Sequence, residues 1–185
     1  MSDARLELEK GLEIKGRVLD ASGQGVSGVG VQSRAGESDH GGGQTLPDGS
    51  FRISGLAAKP YNLCAGTELA GYAVRMGVAP GGADITLTLR PASRVRLLVK
   101  GPDGSPLPKA WASVTKLGGA VLSVPWMGGR SATDSTGLTE IPTPAGALEI
   151  DVRAEKYKGT AKVSVGEGAT ATSEVTLTEP VEKPK

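Results

Sequence analysis

Laid over one another, IKGRVLDASGQGV (14–26) and VRLLVKGPDGSPL (95–107) put Ile14 on Val95, Val18 on Val99, Gly23 on Gly104 and Val26 on Leu107, all at a single offset. Farther along, DGSFRI (48–53) falls on TGLTEI (136–141) and KPYNLCA (59–65) on GALEIDV (146–152). That last match pairs Tyr61 with Leu148, Leu63 with Ile150 and Ala65 with Val152. ITLTL (85–89) then matches VTLTE (175–179). The order is kept throughout, and the offset grows only in segments that read as loops. Two copies of one unit of roughly 80 residues account for this pattern.

Each unit reads as β-structure. In LEIKGRV, Leu12, Ile14, Gly16 and Val18 fall on one face and Glu13, Lys15 and Arg17 on the other. LEIDVRA (148–154), KVSV (162–165) and EVTLT (174–178) alternate in the same way. A charge at every second residue means one wet face and one buried face, as in antiparallel sheets. The composition agrees, with 28 Gly, 12 Pro and a single Phe, which suits short strands joined by tight turns. PDGS occurs at 47–50 and again at 102–105, and an Asp-Gly pair between alternating runs predicts a hairpin turn. The fold class predicted is all-β: two tandem domains, each a two-sheet β-sandwich.

The domains expected are 11–90 and 91–180, with a link at RPA (90–92) too short for a free tether and a disordered tail over 181–185. Residues 1–10 continue the register: ARLELEKGLEI (4–14) lies under ITLTLRPASRV (85–95), Leu6 under Leu87 and Leu8 under Leu89. They read as the closing strand of a missing preceding repeat, or as an N-terminal extension. On the first reading the chain is a fragment of a longer tandem array. The N-terminus has no hydrophobic signal core. No apolar run reaches the roughly 20 residues of a membrane helix. A net charge of +1 gives no electrostatic case for nucleic acid or an anionic surface.

The run IKGRVLDASGQGVSGVGV, then TLPDGSFRISGL, KPYNLCA and GYAV, resembles the carboxypeptidase regulatory-like domain. VRLLVKGPDGSPLPKAWASV, ATDSTGLTEI and PAGALEIDVRAEKY carry the same pattern more loosely in the second copy. The resemblance covers nearly the whole chain. It implies two tandem immunoglobulin-like (prealbumin-like) seven-stranded β-sandwich domains and a non-catalytic accessory or surface module, often repeated in exported bacterial proteins. Its motifs are turn glycines and core alternation, which specify fold more than function.

Several short motifs suggest chemistry that their context does not support. GQGVSG (23–28) fits the dinucleotide fingerprint, but the period of two continues through GVGVQS where a helix would have to start. HGGG (40–43) matches an esterase oxyanion loop, yet the chain has no G-x-S-x-G elbow; it reads as a flexible loop between strands. His40 is the only histidine, which excludes zinc sites built on paired histidines. Neither ESD (37–39) nor TDST (133–136) has the spacing of a calcium loop. The single Cys64 rules out an internal disulfide; it reads as a packing residue with partial exposure, since its face is opposite to that of Tyr61 and Leu63. No catalytic, cofactor or metal residues are expected.

The copies differ most between their second and third strands, where LGGAVLSVPWMGGRS (117–131) replaces AGESDHGGGQT (35–45). The replacement is longer and much more apolar. It reads either as a binding loop whose Trp126 and Met127 tip stacks on a sugar, grips a peptide or packs on a neighbouring domain, or as an extra strand that tucks Trp126 into its own core. On the binding reading the site residues are Trp126, Met127, Arg130 and Asp134. Trp111, within KAWASV, reads as structural. The function expected is a non-catalytic spacer or interaction module of a larger exported or cell-surface protein, located outside the cell or in its envelope. Its partners would be neighbouring domains of the same polypeptide or another protein; carbohydrate is the alternative ligand.

Overall fold

A computed structural model of the chain describes residues 11–125 and 130–181. The expectations for residues 1–10, for Trp126 and Met127 and for 182–185 lie outside the described residues. The first half forms β1 (Leu12–Leu19), β2 (Gly30–Ala35), β3 (Asp39–Gln44), β4 (Ser50–Leu56), β5 (Tyr61–Thr67), β6 (Gly71–Val78) and β7 (Ile85–Thr88). The second forms β8 (Ser93–Lys100), β9 (Trp111–Leu117), β10 (Ala120–Val121), β11 (Arg130–Ala132) and β12 (Leu138–Thr143). β13 (Gly146–Arg153), β14 (Tyr157–Val165), β15 (Thr170–Thr176) and β16 (Glu179–Pro180) complete it.

Strand order β4-β1-β7 in one sheet and β3-β2-β5-β6 in another makes the first sandwich. The second repeats it as β12-β8-β15 against β11 or β10, β9, β13, β14 and β16. The first and last strands of each run parallel, β1 with β7 and β8 with β15, and the other pairs are antiparallel. The chain is thus two tandem immunoglobulin-like sandwiches, each with seven common strands; β10 and β16 are additions to the second. Alternation builds each core. Ile14, Val18, Ile53 and Leu87 meet Val31, Tyr61, Leu63 and Ala65 in the first. Val95, Val99, Ile141 and Val175 meet Ala112, Leu148, Ile150 and Val152 in the second. Leu12, at the open end of its strand, is 37% exposed.

Pairing registers test the repeat residue by residue. Ile14 opposes Ile53 as Val95 opposes Ile141, and Val31 opposes Ala65 as Ala112 opposes Val152. The match at the last strand needs correction. Val18 opposes Leu87, but Val99 opposes Val175, so Leu87 corresponds to Val175 rather than Leu177. A two-residue slip keeps every side chain on its face, so alternation alone does not reveal it.

The Asp-Gly pairs do form turns, and all of one kind. PDGS 47–50 and PDGS 102–105 belong to three-residue loops in which only the glycine is left-handed, with φ of 79° at both Gly49 and Gly104. Leu46 N donates to Ser50 O and Gly49 N to Leu46 O; Gly101 N donates to Ser105 O and Gly104 N to Gly101 O. The same two bonds close 20–24 through Asp20, Gln24 and Gly23, and 134–138 through Asp134, Leu138 and Gly137. This is a type I turn followed by a glycine bulge, used four times. In each sandwich the strand that leads into one such loop is tied to the other loop: Val18 N donates to Gly49 O, and Val99 N to Gly137 O.

HGGG is part of a strand, not a flexible loop: residues 39–44 pair along the whole of β2. Glycine is needed because β3 lies hard against β4. A Cβ on Gly43 would sit 2.9 Å from the Arg52 carbonyl oxygen, and one on Gly41 would sit 2.9 Å from Ile53 Cγ2.

Candidate functional site at the seam between the sandwiches

The outer face of β5 and β6 should be wet, since their inner residues already fill the first core. Instead Cys64 and Tyr72 are buried there, with Val74 packed beside them. What covers them is the apolar insert of the second sandwich. Residues 120–121 add β10 to the edge of β9, and the chain then turns Leu122, 3% exposed, into a cluster with Cys64 and Tyr72. Ala92 of the link joins the same cluster, and Leu117 and Val124 belong both to it and to the second core. Cys64 is therefore fully buried, against the expected partial exposure, because the second sandwich closes over it. Burying a leucine of this size is worth about 1.5–3 kcal/mol.

Polar groups fix the seam's geometry. Asn62 Nδ2 donates to the Val121 carbonyl oxygen at 2.9 Å, and its Oδ1 accepts from Gly77 N at 3.2 Å. Tyr72 and Arg90 exchange backbone hydrogen bonds of 2.8 and 2.9 Å, which ties the link to β6. Arg94 Nη1 reaches Glu68 of the first sandwich at 2.7 Å and Glu140 of the second at 3.1 Å. Glu68 beside it raises the guanidinium pKa. Burial pushes both the Cys64 thiol and the Tyr72 phenol well above their ordinary ranges, so both are neutral here. A neutral, shielded thiol is not a nucleophile in this arrangement. Beside the seam a cleft of about 430 Å³ opens between Arg75, Arg90, Pro144 and Glu167.

The residues proposed for a binding loop are placed apart in role. Arg130, on β11, lays its guanidinium 5.0 Å from the centroid of the Trp111 ring, a cation–π contact. Trp111 opens β9 but faces outward and is 45% exposed, because alternation gives the core to Ala112 and Val114. Asp134 is engaged in its own turn: Oδ1 accepts from Thr136 N, Thr136 Oγ1 and Leu138 N at 2.7–3.0 Å. Asp20, Asp48 and Asp103 hold Ser22, Ser50 and Ser105 in the same manner. His40 is exposed and its Nδ1 lies 3.1 Å from the Ser38 carbonyl oxygen. The insert's apolar character was legible in the sequence. The stripe that receives it was not, because Cys64 and Tyr72 stand on different strands and outside any alternating face.

No protein-family model matches the chain, and no curated protein matches it. Among solved structures it is similar to the Bacillus anthracis TIE protein, at 14% identity and TM-score 0.39, covering 91% of this chain and 34% of that one. It is also similar to GBS52, the minor pilin of Streptococcus agalactiae, at 13% identity and TM-score 0.41, covering 93% and 98% of the two chains. A streptococcal ancillary pilin is similar at 13% identity and TM-score 0.36, covering 91% of this chain and 63% of that one.

Proposed function

We propose that the chain is a non-catalytic structural spacer and interaction module of a larger exported or cell-surface bacterial protein, built of two carboxypeptidase regulatory-like sandwiches over 11–90 and 91–180. The observation that carries this reading is the seam: an apolar insert in one copy covers an apolar stripe on the other. The turn carboxylates support it, since each is engaged in holding its own loop. Such a unit sets the spacing between its neighbours in the polypeptide, and its partners are those neighbouring domains or another protein. Fractionation of cells, with protease accessibility of the full-length protein on intact cells, tests it. The protein is expected at the surface or outside; recovery in the cytosol would overturn the reading.

A second reading, carbohydrate or peptide binding by the 117–131 segment, is favoured by the exposed Trp111 ring beneath Arg130. On this reading Trp126, Met127 and Arg130 make the contacts and Asp134 shapes the adjoining turn. Trp111→Ala and Trp126→Ala should then abolish retention on a glycan and cell-wall peptide panel while leaving the circular dichroism spectrum unchanged. Absence of wild-type binding across that panel ends it.

A further inference from the structure

We propose that residues 117–125 are a clasp that holds the two sandwiches in one fixed arrangement, and that the clasp fits the outer face of the first sandwich and not the equivalent face of the second. The inference stands on the seam's geometry and does not depend on the spacer reading.

The case rests on comparing equivalent positions. Pairing of β5 with β6 and of β13 with β14 places Asp151 and Thr160 where the first sandwich has Cys64 and Val74. It also places Arg153 and Lys158 where the first has Gly66 and Tyr72. The receiving stripe is apolar and buried in one copy, polar or charged in the other. The donating segment is equally one-sided. The first sandwich joins its second and third strands through Gly36, Glu37 and Ser38, with nothing resembling Leu122 or Val124. Among the described residues, donor and acceptor therefore each occur on one of the two copies only, and the contact is heterologous.

Continuity makes the clasp rigid. Leu117 and Val124 are packed into the second core and the seam at once, so the clasp cannot swing without disturbing that core. Asn62, held at both ends of its amide, fixes Val121 from the other side. The link contributes Ala92 and the Arg90–Tyr72 bridge, which keeps the local concentration of the two faces high.

Cys64 provides the test, because its thiol is covered by the clasp. In the wild-type chain under native conditions, labelling by a small thiol reagent should be at least about 100-fold slower than in the urea-unfolded chain. Leu122→Asp should speed labelling at least about tenfold, since removing a buried leucine shifts an opening equilibrium by that factor or more. Its circular dichroism should keep the β spectrum, and small-angle scattering should change from one compact shape to a broader distribution of lengths. Leu122→Ala and Asn62→Ala, measured in the same way, stand in if the aspartate variant does not fold. Wild-type labelling at the unfolded rate would overturn the proposal. So would unchanged labelling and scattering in the folded variants, or a wild-type dimer in sedimentation whose seam forms between chains.

Discussion

Thr45 and Thr133 hold equivalent places, and both are buried. Thr45 Oγ1 accepts from Val29 N at 2.8 Å. Thr133 Oγ1 accepts from Ala110 N at 2.9 Å and donates to Leu107 O at 2.7 Å. Each hydroxyl satisfies a backbone group that water cannot reach. Thr45→Val or Thr133→Val should lower stability by about 1–3 kcal/mol, read as a drop in urea midpoint. Thr139 is the contrasting case. It occupies the core position that Phe51 fills in the first sandwich, and its hydroxyl finds no partner among the described residues. Thr139→Val should therefore raise stability by about 1 kcal/mol, read as a higher urea midpoint. A sequence shows three threonines and does not show which hydroxyls are answered. Lys109 is equally silent: it adopts φ 58° where the first copy has Gly28 at 71°, and a lysine gives no signal of a left-handed residue.

At the scale of the element, strands were legible and loops only in part. Alternation located Ile14, Val18, Leu148 and Ile150 because one buried face imposes a period of two. It failed at DHGGGQ, where bare backbone packs against β4 and there are no side chains to alternate. It was blind to the slip at β15 because a shift of two leaves the faces unchanged. The Asp-Gly pairs announced turns, but what holds those turns is a carboxylate. The Asp48 carboxyl is brought down from 3.8 to about 2 by the Ser50 hydroxyl, the Ser50 amide and the Arg17 guanidinium. Asp20, Asp103 and Asp134 are lowered by the hydroxyls of Ser22, Ser105 and Thr136 and by neighbouring amides. A carboxyl depressed in the folded state stabilises that state fully above its unfolded pKa and loses the effect as pH falls toward the folded one. The share of stability that these carboxylates supply should therefore be level above about pH 5 and fall between about pH 4 and 2. Asp48→Asn should flatten part of that fall in urea midpoints measured across pH.

For the whole molecule the question is what joins the halves. The Arg94–Glu68 ion pair spans them, but both side chains are well exposed, and pairs of that kind contribute about 0–1 kcal/mol. The cluster around Leu122 is buried instead, with Cys64, Tyr72 and Leu122 at most 3% exposed. Arg94→Ala should accordingly leave thermal unfolding almost unchanged at physiological salt, while Leu122→Ala lowers stability by about 2–5 kcal/mol at a well-packed site. Equal effects would mean that charge, not apolar contact, makes the joint. The repeat made two modules visible in the sequence; their joint was not, because it depends on positions where the copies disagree.

The parallel pairing of first and last strands has a mechanical consequence. Tension drawn through the chain ends pulls β1 backwards and β7 forwards along one shared ladder, so its hydrogen bonds bear the load together instead of parting one at a time. That ladder joins Gly16–Leu19 to Ile85–Thr88 in the first sandwich, whereas in the second it runs from Arg94 to Lys100 against Thr170–Thr176. Stretched in a force spectrometer, the shorter ladder should rupture first, and the amino-terminal half should extend while the carboxy-terminal half still resists.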